Sequence, residues 1–142
     1  MLVVDTNVLA SLLLDGPFSE AAHALYGADP DWRSEGFVLV EFCNVLTTQI
    51  RLRELPVADA QGLLSQGTAL FGQGLMVVDH AAALALAAQH GVSAYDARFL
   101  AVARSLKTRL VTEDARLRRA AAELTWSIDD ALADARARSA GP

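Results

Sequence analysis

The stretch MLVVDTNVLASLLL (1–14) decides the fold prediction, because a strand pattern passes into a helix pattern through polar residues. Leu2, Val3 and Val4 form a short apolar run that is typical of a buried central strand. The run 7–14 has the length and spacing of an apolar helix. Asp5 stands between them, where it can cap the helix and also end the strand. The stretch therefore predicts the first strand–helix unit of an α/β domain.

Strand and helix patterns continue to alternate along the rest of the chain. LMVVD (75–79) and RLVTED (109–114) indicate buried strands, and shorter strands are expected within 31–36 and around 124–126. The expected helices cover 18–27, 37–55, 56–71, 81–89, 93–106, a segment from 115 onward, and 129–138. We expect helix 37–55 to be buried nearly all round and helix 129–138 to be exposed. This alternation predicts an α/β fold with a parallel sheet.

Composition indicates one folded domain over residues 1–142, with 53% hydrophobic and 20% charged residues. The apolar run 81–88 is too short to cross a membrane, and Asp5 interrupts the first apolar stretch before it could act as a secretory signal. We therefore expect a cytoplasmic protein. The single cysteine, Cys43, excludes an internal disulfide and a cysteine-based zinc site.

The net charge of −5 argues mildly against a general nucleic-acid binder. Arginines nevertheless cluster in RLR (51–53), ARSLKTR (103–109) and RLRR (116–119). These clusters fit either ordinary solvated helix faces or a basic stripe on the surface.

Four carboxylates carry the functional prediction. Asp5 and Asp114 each follow a predicted strand, Glu41 lies in an apolar helix, and Asp96 lies near a helix start. Helix capping alone explains each aspartate, whereas Glu41 needs a partner or an ion. The groove of a parallel sheet lies at the carboxyl ends of its strands, where the four side chains could meet. At ~5 Å, two such charges repel by roughly 3 kcal/mol, and a divalent cation would offset this. Carboxylate ligands favour Mg²⁺ or Mn²⁺ over Zn²⁺.

The chain resembles the PIN-domain ribonucleases at four acidic motifs in order. The motifs are VVDTNVLAS (3–11), VEFCNVL (40–46), SAYDARFLAVA (93–103) and LVTEDARL (110–117). In length it resembles the VapC-type toxins of bacterial toxin–antitoxin pairs. The resemblance implies a three-layer α/β/α sandwich with a central, mostly parallel sheet of four or five strands. It also implies metal-dependent cleavage of RNA, a protein antitoxin as partner, and a homodimer.

The resemblance implies a catalytic and metal-binding set of Asp5, Glu41, Asp96 and Asp114. Thr6 and Asn7 are then expected to hydrogen-bond Asp5 and the substrate phosphate. Asn44 and Thr112 match the supporting residues beside Glu41 and Asp114. In the expected mechanism, Asp5, Asp96 and Glu41 position Mg²⁺ or Mn²⁺, which activates a water against the scissile phosphate.

Two neighbouring residues leave alternatives open. Glu113 adjoins Asp114 and could replace it as the fourth acid, although strand alternation should turn one of the pair away from the groove. Arg98 could reach a phosphate, or it could form an ordinary salt bridge.

Other functions compete with the toxin hypothesis. A solitary RNA-processing nuclease would use the same residues, and a non-catalytic binding module would use the acids only as helix caps. An aspartate-nucleophile phosphatase is a weaker alternative, because it requires a second acid where this chain has Asn7. In a receiver domain Asp79 could serve as the aspartate that becomes phosphorylated, but the acidic pair that such a domain requires after strand one is missing.

Overall fold

The structure is a computed structural model that describes residues 1–141, so Pro142, the last residue of the predicted domain 1–142, lies outside the described residues. The strands of the described chain are β1 (Leu2–Val4), β2 (Trp32–Glu35), β3 (Leu75–Met76), β4 (Leu110–Val111) and β5 (Thr125–Trp126). The α-helices are α1 (Thr6–Leu13), α2 (Ser19–Ala28), α3 (Phe37–Arg51), α4 (Val57–Phe71), α5 (His80–His90), α6 (Ala94–Ser105), α7 (Ala115–Ala120) and α8 (Ile128–Ser139). Two short 3₁₀ turns, Gly72–Gly74 and Ala122–Leu124, precede β3 and β5.

The five strands form one parallel sheet in the order β3-β2-β1-β4-β5. At its centre Val3 is in register with Arg33 of β2 and with Leu110 of β4. This arrangement confirms the predicted α/β fold with a central parallel sheet.

The strand order reverses direction between β1 and β4. The chain steps outward from β1 through β2 to β3, and then returns to place β4 on the other side of β1. Because parallel crossovers are right-handed, the helices of the outward steps (α1 to α4) and those of the return step (α5 and α6) cover opposite faces of the sheet. The reversal makes the carboxyl ends of β1 and β4 a topological switch point, which is where α/β sheets bind ligands.

The core is built from the strands and one face of each neighbouring helix. All of β1, both residues of β4 and Trp32 of β2 are buried. Helices α1, α3 and α6 contribute fully buried apolar side chains, among them Leu9, Phe42 and Phe99. None of the helices in the described chain combines the length and the apolar character needed to cross a membrane.

The predicted strand LMVVD (75–79) is wrong in extent and burial. Only Leu75 and Met76 pair, and Val77 is 88% exposed, because β3 is an edge strand with β2 as its single neighbour. Gly74, just before β3, allows the chain to approach β2 closely, since a Cβ at this position would lie 2.7 Å from the carbonyl oxygen of Trp32.

Two helices also differ from their predictions. Helix α3 ends at Arg51 rather than at residue 55, and it buries one face (Val38, Phe42 and Leu46) rather than its whole circumference. The chain leaves the helix at Arg53, whose φ of 58° lies in the left-handed region, and Pro56 then disfavours helical geometry at Leu55. The predicted exposed tail forms α8, but this helix buries one stripe against α2 and β5. Small alanines among its charged residues obscured that stripe in the sequence.

Candidate active site

A cavity of about 560 Å³ opens at the switch point, at the carboxyl ends of β1 and β4. We call it the carboxylate cavity. Its lining residues are Asp5, Thr6, Asn7, Phe37, Val40, Glu41, Asn44, Val45, Tyr95, Asp96, Phe99 and Asp114. The structure therefore brings all four predicted acids, and three of the four predicted supporting residues, to one cavity. They come from four separate segments of the chain.

Asp5 is the most buried of these acids, with 6% of its surface exposed. It directly follows β1 and caps α1, because its Oδ1 atom accepts a hydrogen bond of 3.1 Å from the Val8 N–H. The capping role and the cavity position therefore coexist, since the turn that begins α1 also directs the carboxylate to the cavity.

The surroundings of Asp5 disfavour its charged form. The pKa of Asp5 is raised from 3.8 to about 6, mainly by burial and to a smaller extent by the nearby charges of Glu41 and Asp96. Hydrogen bonds from the Thr112 hydroxyl and the Val8 N–H act in the opposite direction, but they do not offset the burial. At neutral pH the site therefore holds a carboxylate that a nearby cation would stabilise.

Thr6 supports a different acid from the one expected. Its hydroxyl donates a 2.7 Å hydrogen bond to Oε1 of Glu41 rather than to Asp5. This contact joins the first turn of α1 to the middle of α3 and so fixes the carboxylate of Glu41. Asn7 is exposed and lines the cavity, as does Asn44 one turn after Glu41.

Asp96 lies in the first turn of α6, where Ser93 is the N-cap. The Ser93 hydroxyl accepts a 3.0 Å hydrogen bond from the Asp96 N–H and donates one of 2.9 Å to the Asp96 carboxylate. This exchange is a local helix-start motif, yet the carboxylate also lines the cavity.

Asp114 follows β4 and caps α7, accepting hydrogen bonds from the N–H groups of Arg116 and Leu117. Thr112 is fully buried between the strand end and the site. Its hydroxyl accepts a 3.1 Å hydrogen bond from the Asp114 N–H and also bonds Asp5. Thr112 thereby links the two acids that follow β1 and β4.

Glu113 is directed away from this group. Its carboxylate accepts hydrogen bonds from Arg118, at 2.9 Å, and from the Ile128 N–H, at 2.7 Å. Glu113 therefore holds the start of α8 and pairs with α7, as strand alternation next to Asp114 predicts.

Arg98 forms a salt bridge, so the structure favours this alternative over the phosphate contact. Its Nη2 lies 2.6 Å from Oε1 of Glu35, and its Nη1 lies 3.1 Å from Nδ1 of His80. Glu35 is 2% exposed and also accepts a 2.6 Å hydrogen bond from the Phe37 N–H. Burial alone would raise the pKa of Glu35, but the hydrogen bonds from Arg98 and Phe37 hold it below its usual value. The pair joins the end of β2 and the start of α3 to α6.

Glu35 could not be identified from the sequence as the partner of Arg98. A charged residue at the end of a predicted strand was the available signal, but it could not identify Arg98 in a distant helix.

A smaller cavity of about 210 Å³ adjoins the same acids. Asp96 and Asp114 line it together with Ser93 and Arg116 and with four residues without charge, Gly91, Val92, Leu117 and Ala120. Arg116 belongs to the basic run RLRR (116–119). It is the arginine of that run that lies beside two of the four acids, Asp96 and Asp114.

The carboxylate cavity suits a hard divalent cation by the chemistry of its donors. Its ionisable lining consists of four carboxylates and one tyrosine, without histidine or cysteine among the described residues. In the described chain, no group of three or more acidic, histidine or cysteine side chains stands close enough to form a ready metal cage. Mg²⁺ fits such an arrangement, because it retains several waters and binds only one or two carboxylates directly.

Comparison with known proteins identifies the family. The crystal structure of PAE2754 from Pyrobaculum aerophilum is similar, with a TM-score of 0.70 and 23% identity over 95% of this chain and 96% of that chain. The crystal structure of FitAcB from Neisseria gonorrhoeae has a TM-score of 0.66 and 20% identity over 90% of this chain and 98% of that chain. Identities this low show a shared fold alone. No curated protein sequence matches the chain. The sequence profile of the PIN domain matches residues 2–123, so the chain belongs to the PIN domain family.

Proposed function

We propose that this protein is a Mg²⁺- or Mn²⁺-dependent endoribonuclease. The observation that carries the proposal is the convergence of Asp5, Glu41, Asp96 and Asp114 on one cavity at the switch point of the sheet. Membership of the PIN domain family supports a nuclease.

We assign the four acids different roles, which follow from their positions. Asp5, Glu41 and Asp96 would hold the cation, directly or through its waters, because the charges of Glu41 and Asp96 both act on Asp5. When bound, the cation supplies a water of lowered pKa and a positive charge beside the scissile phosphate. Asp114 would orient the attacking water or help to hold a second cation. Thr6 and Thr112 fix the carboxylates of Glu41 and Asp5, which keeps the acids aligned.

Cleavage of a structured RNA tests this function. Wild-type protein is expected to cut the RNA with Mg²⁺ or Mn²⁺ and to lose this activity in EDTA. Asp5→Asn is expected to reduce cleavage at least about 100-fold, since it removes a charged ligand while the amide can still accept the Val8 hydrogen bond. Asp59→Asn is the matched control, because Asp59 is an exposed acid in the first turn of α4.

Each result decides between the alternatives. Equal cleavage by the Asp5→Asn and Asp59→Asn variants contradicts the proposed site. RNA binding without cleavage by the wild type in either metal supports the non-catalytic binding module instead.

We further propose that the nuclease is the toxin of a toxin–antitoxin pair in the cytoplasm and acts as a homodimer. The length of the chain and its four acidic motifs support this through their resemblance to VapC-type toxins. Expression in bacteria is expected to arrest growth with the wild type but not with Asp5→Asn. Co-expression of a small neighbouring reading frame should relieve the arrest, and its failure to do so favours a solitary processing nuclease. Sedimentation should give twice the chain mass of 15.1 kDa.

A further inference from the structure

Tyr95 is unusually exposed for a residue on an apolar helix stripe. The spacing of Tyr95, Phe99 and Val102 predicts one buried face of α6, and Phe99 and Val102 are indeed buried. Tyr95, in contrast, is 60% exposed. Its ring stacks on that of Phe37, with the ring centroids 5.2 Å apart and the planes at 11°. One face of the tyrosine ring is thus supported by another aromatic ring, while most of the side chain remains open to solvent.

This aromatic pair belongs to the carboxylate cavity. Both rings line it together with the four acids. Phe37 lies one helical turn before Glu41 on α3, so the two side chains share a helix face. Tyr95 directly precedes Asp96 in the first turn of α6. The pair is therefore attached to the same two helix segments that supply two of the four carboxylates.

The charge of the cavity indicates what the pair contributes. No lysine or arginine is among the described residues that line the carboxylate cavity. An RNA strand entering it meets acids, and a bound divalent cation would offset only part of that charge. Within this cavity an RNA strand can therefore gain affinity from contacts that do not depend on charge, and stacking of a base on an aromatic ring is such a contact.

We propose that Tyr95, backed by Phe37, is the stacking platform for an unpaired base next to the scissile phosphate. This inference rests on the proposed ribonuclease function. A base inside a duplex has both faces covered by its neighbours, so it cannot stack on Tyr95 without leaving the helix. The platform therefore selects RNA that is single-stranded or looped at the cleaved position.

A fluorescent oligonucleotide tests the platform directly. The probe is a short single-stranded RNA with one 2-aminopurine, compared with the same strand annealed to its complement. Binding is measured in Mg²⁺ on the Asp5→Asn protein, so that the strand stays intact. Adding Tyr95→Ala is expected to weaken single-strand binding roughly 5- to 150-fold, the range for loss of one stacked base. Tyr95→Phe should restore binding to within about twofold, because the ring and not the hydroxyl stacks.

Leu52→Ala is the matched control, because Leu52 is 61% exposed and does not line the cavity. It should leave RNA binding unchanged. In the otherwise wild-type enzyme, Tyr95→Ala should mainly raise KM, and the preference for single-stranded over annealed substrate should shrink. Circular dichroism of each variant establishes that the fold is retained.

The outcomes separate this inference from the proposed function. If the wild type cleaves RNA and folded Tyr95→Ala binds and cleaves the single strand equally well, the platform alone is refuted. If Tyr95→Ala instead shifts a sedimenting dimer to monomer without changing RNA affinity per chain, the exposed ring belongs to an interface between copies, and the platform is again refuted. If the wild type neither binds nor cleaves RNA, the proposed function and the platform both fail.

Discussion

Replacing Asp5 by asparagine should stabilise the metal-free protein at neutral pH. Asp5 has a folded-state pKa of about 6 against an ordinary 3.8, so the folded chain holds this proton more tightly than the unfolded chain does. The free energy of unfolding therefore falls as the pH rises from about 4 to about 6, and stays reduced above that range. The difference of about 2 pKa units, at about 1.36 kcal/mol each, corresponds to about 3 kcal/mol at most.

The asparagine variant avoids most of this cost. Its side-chain oxygen can still accept the Val8 N–H bond, but the variant loses a charged acceptor for the Thr112 hydroxyl. We expect a net gain of about 1–3 kcal/mol at pH 7.5 in EDTA, or roughly 3–10 °C in Tm for a domain of this size. At pH 4 the gain should nearly vanish, because the folded wild type is then protonated at Asp5.

Urea unfolding from pH 4 to pH 8, followed by circular dichroism, measures the effect. Mg²⁺ should then stabilise the wild type at pH 7.5 more than it stabilises the variant, because the cation offsets the buried charge. Asp59→Asn is the control and should show no pH-dependent gain. Two results refute the reasoning. One is an Asp5→Asn variant that is less stable than the wild type at pH 7.5 in EDTA. The other is a gain in the free energy of unfolding that is the same at pH 4 as at pH 7.5.

Three further predictions, which use substitutions at four positions, test the contacts around the site. Glu35→Gln should cost about 2–4 kcal/mol in urea unfolding, because it leaves the partly buried Arg98 without its counter-charge, and an unchanged midpoint contradicts this. Asp114→Asn should reduce cleavage at least about tenfold whereas Glu113→Gln keeps it, and the reverse order in an RNA cleavage assay would make Glu113 the fourth acid. Arg116→Gln should lower the slope of log RNA affinity against log salt by about one, and an unchanged slope means that Arg116 contacts no phosphate.

The strand-end acids could be predicted from the sequence because parallel-sheet geometry fixes where they go. Asp5 and Asp114 follow apolar runs, and the carboxyl ends of neighbouring parallel strands share one edge. Glu41 was detectable as a charge in an apolar helix. Asp96 had no comparable signal beyond its motif, since an acid in the first turn of a helix is common.

The remaining features depend on tertiary contacts that leave no local pattern. Glu35 and Arg98 are 63 residues apart, so their pairing could not be read from either segment. The exposure of Tyr95 could not be predicted from the sequence. Apolar residues that face the core and apolar residues that line an open cavity recur with the same helical period. The edge position of β3 likewise follows from the strand order, which the sequence alone does not specify.

The most direct test of the shared acidic site is an anomalous difference map from crystals soaked in Mn²⁺. We predict a peak in the carboxylate cavity that lies within about 2–2.6 Å of an oxygen of at least one of the four acids, Asp5, Glu41, Asp96 and Asp114, and contacts others through ordered waters. The peak should be lost in Asp5→Asn crystals. An empty cavity at a Mn²⁺ concentration that supports cleavage, or a peak only elsewhere on the chain, would contradict the central claim.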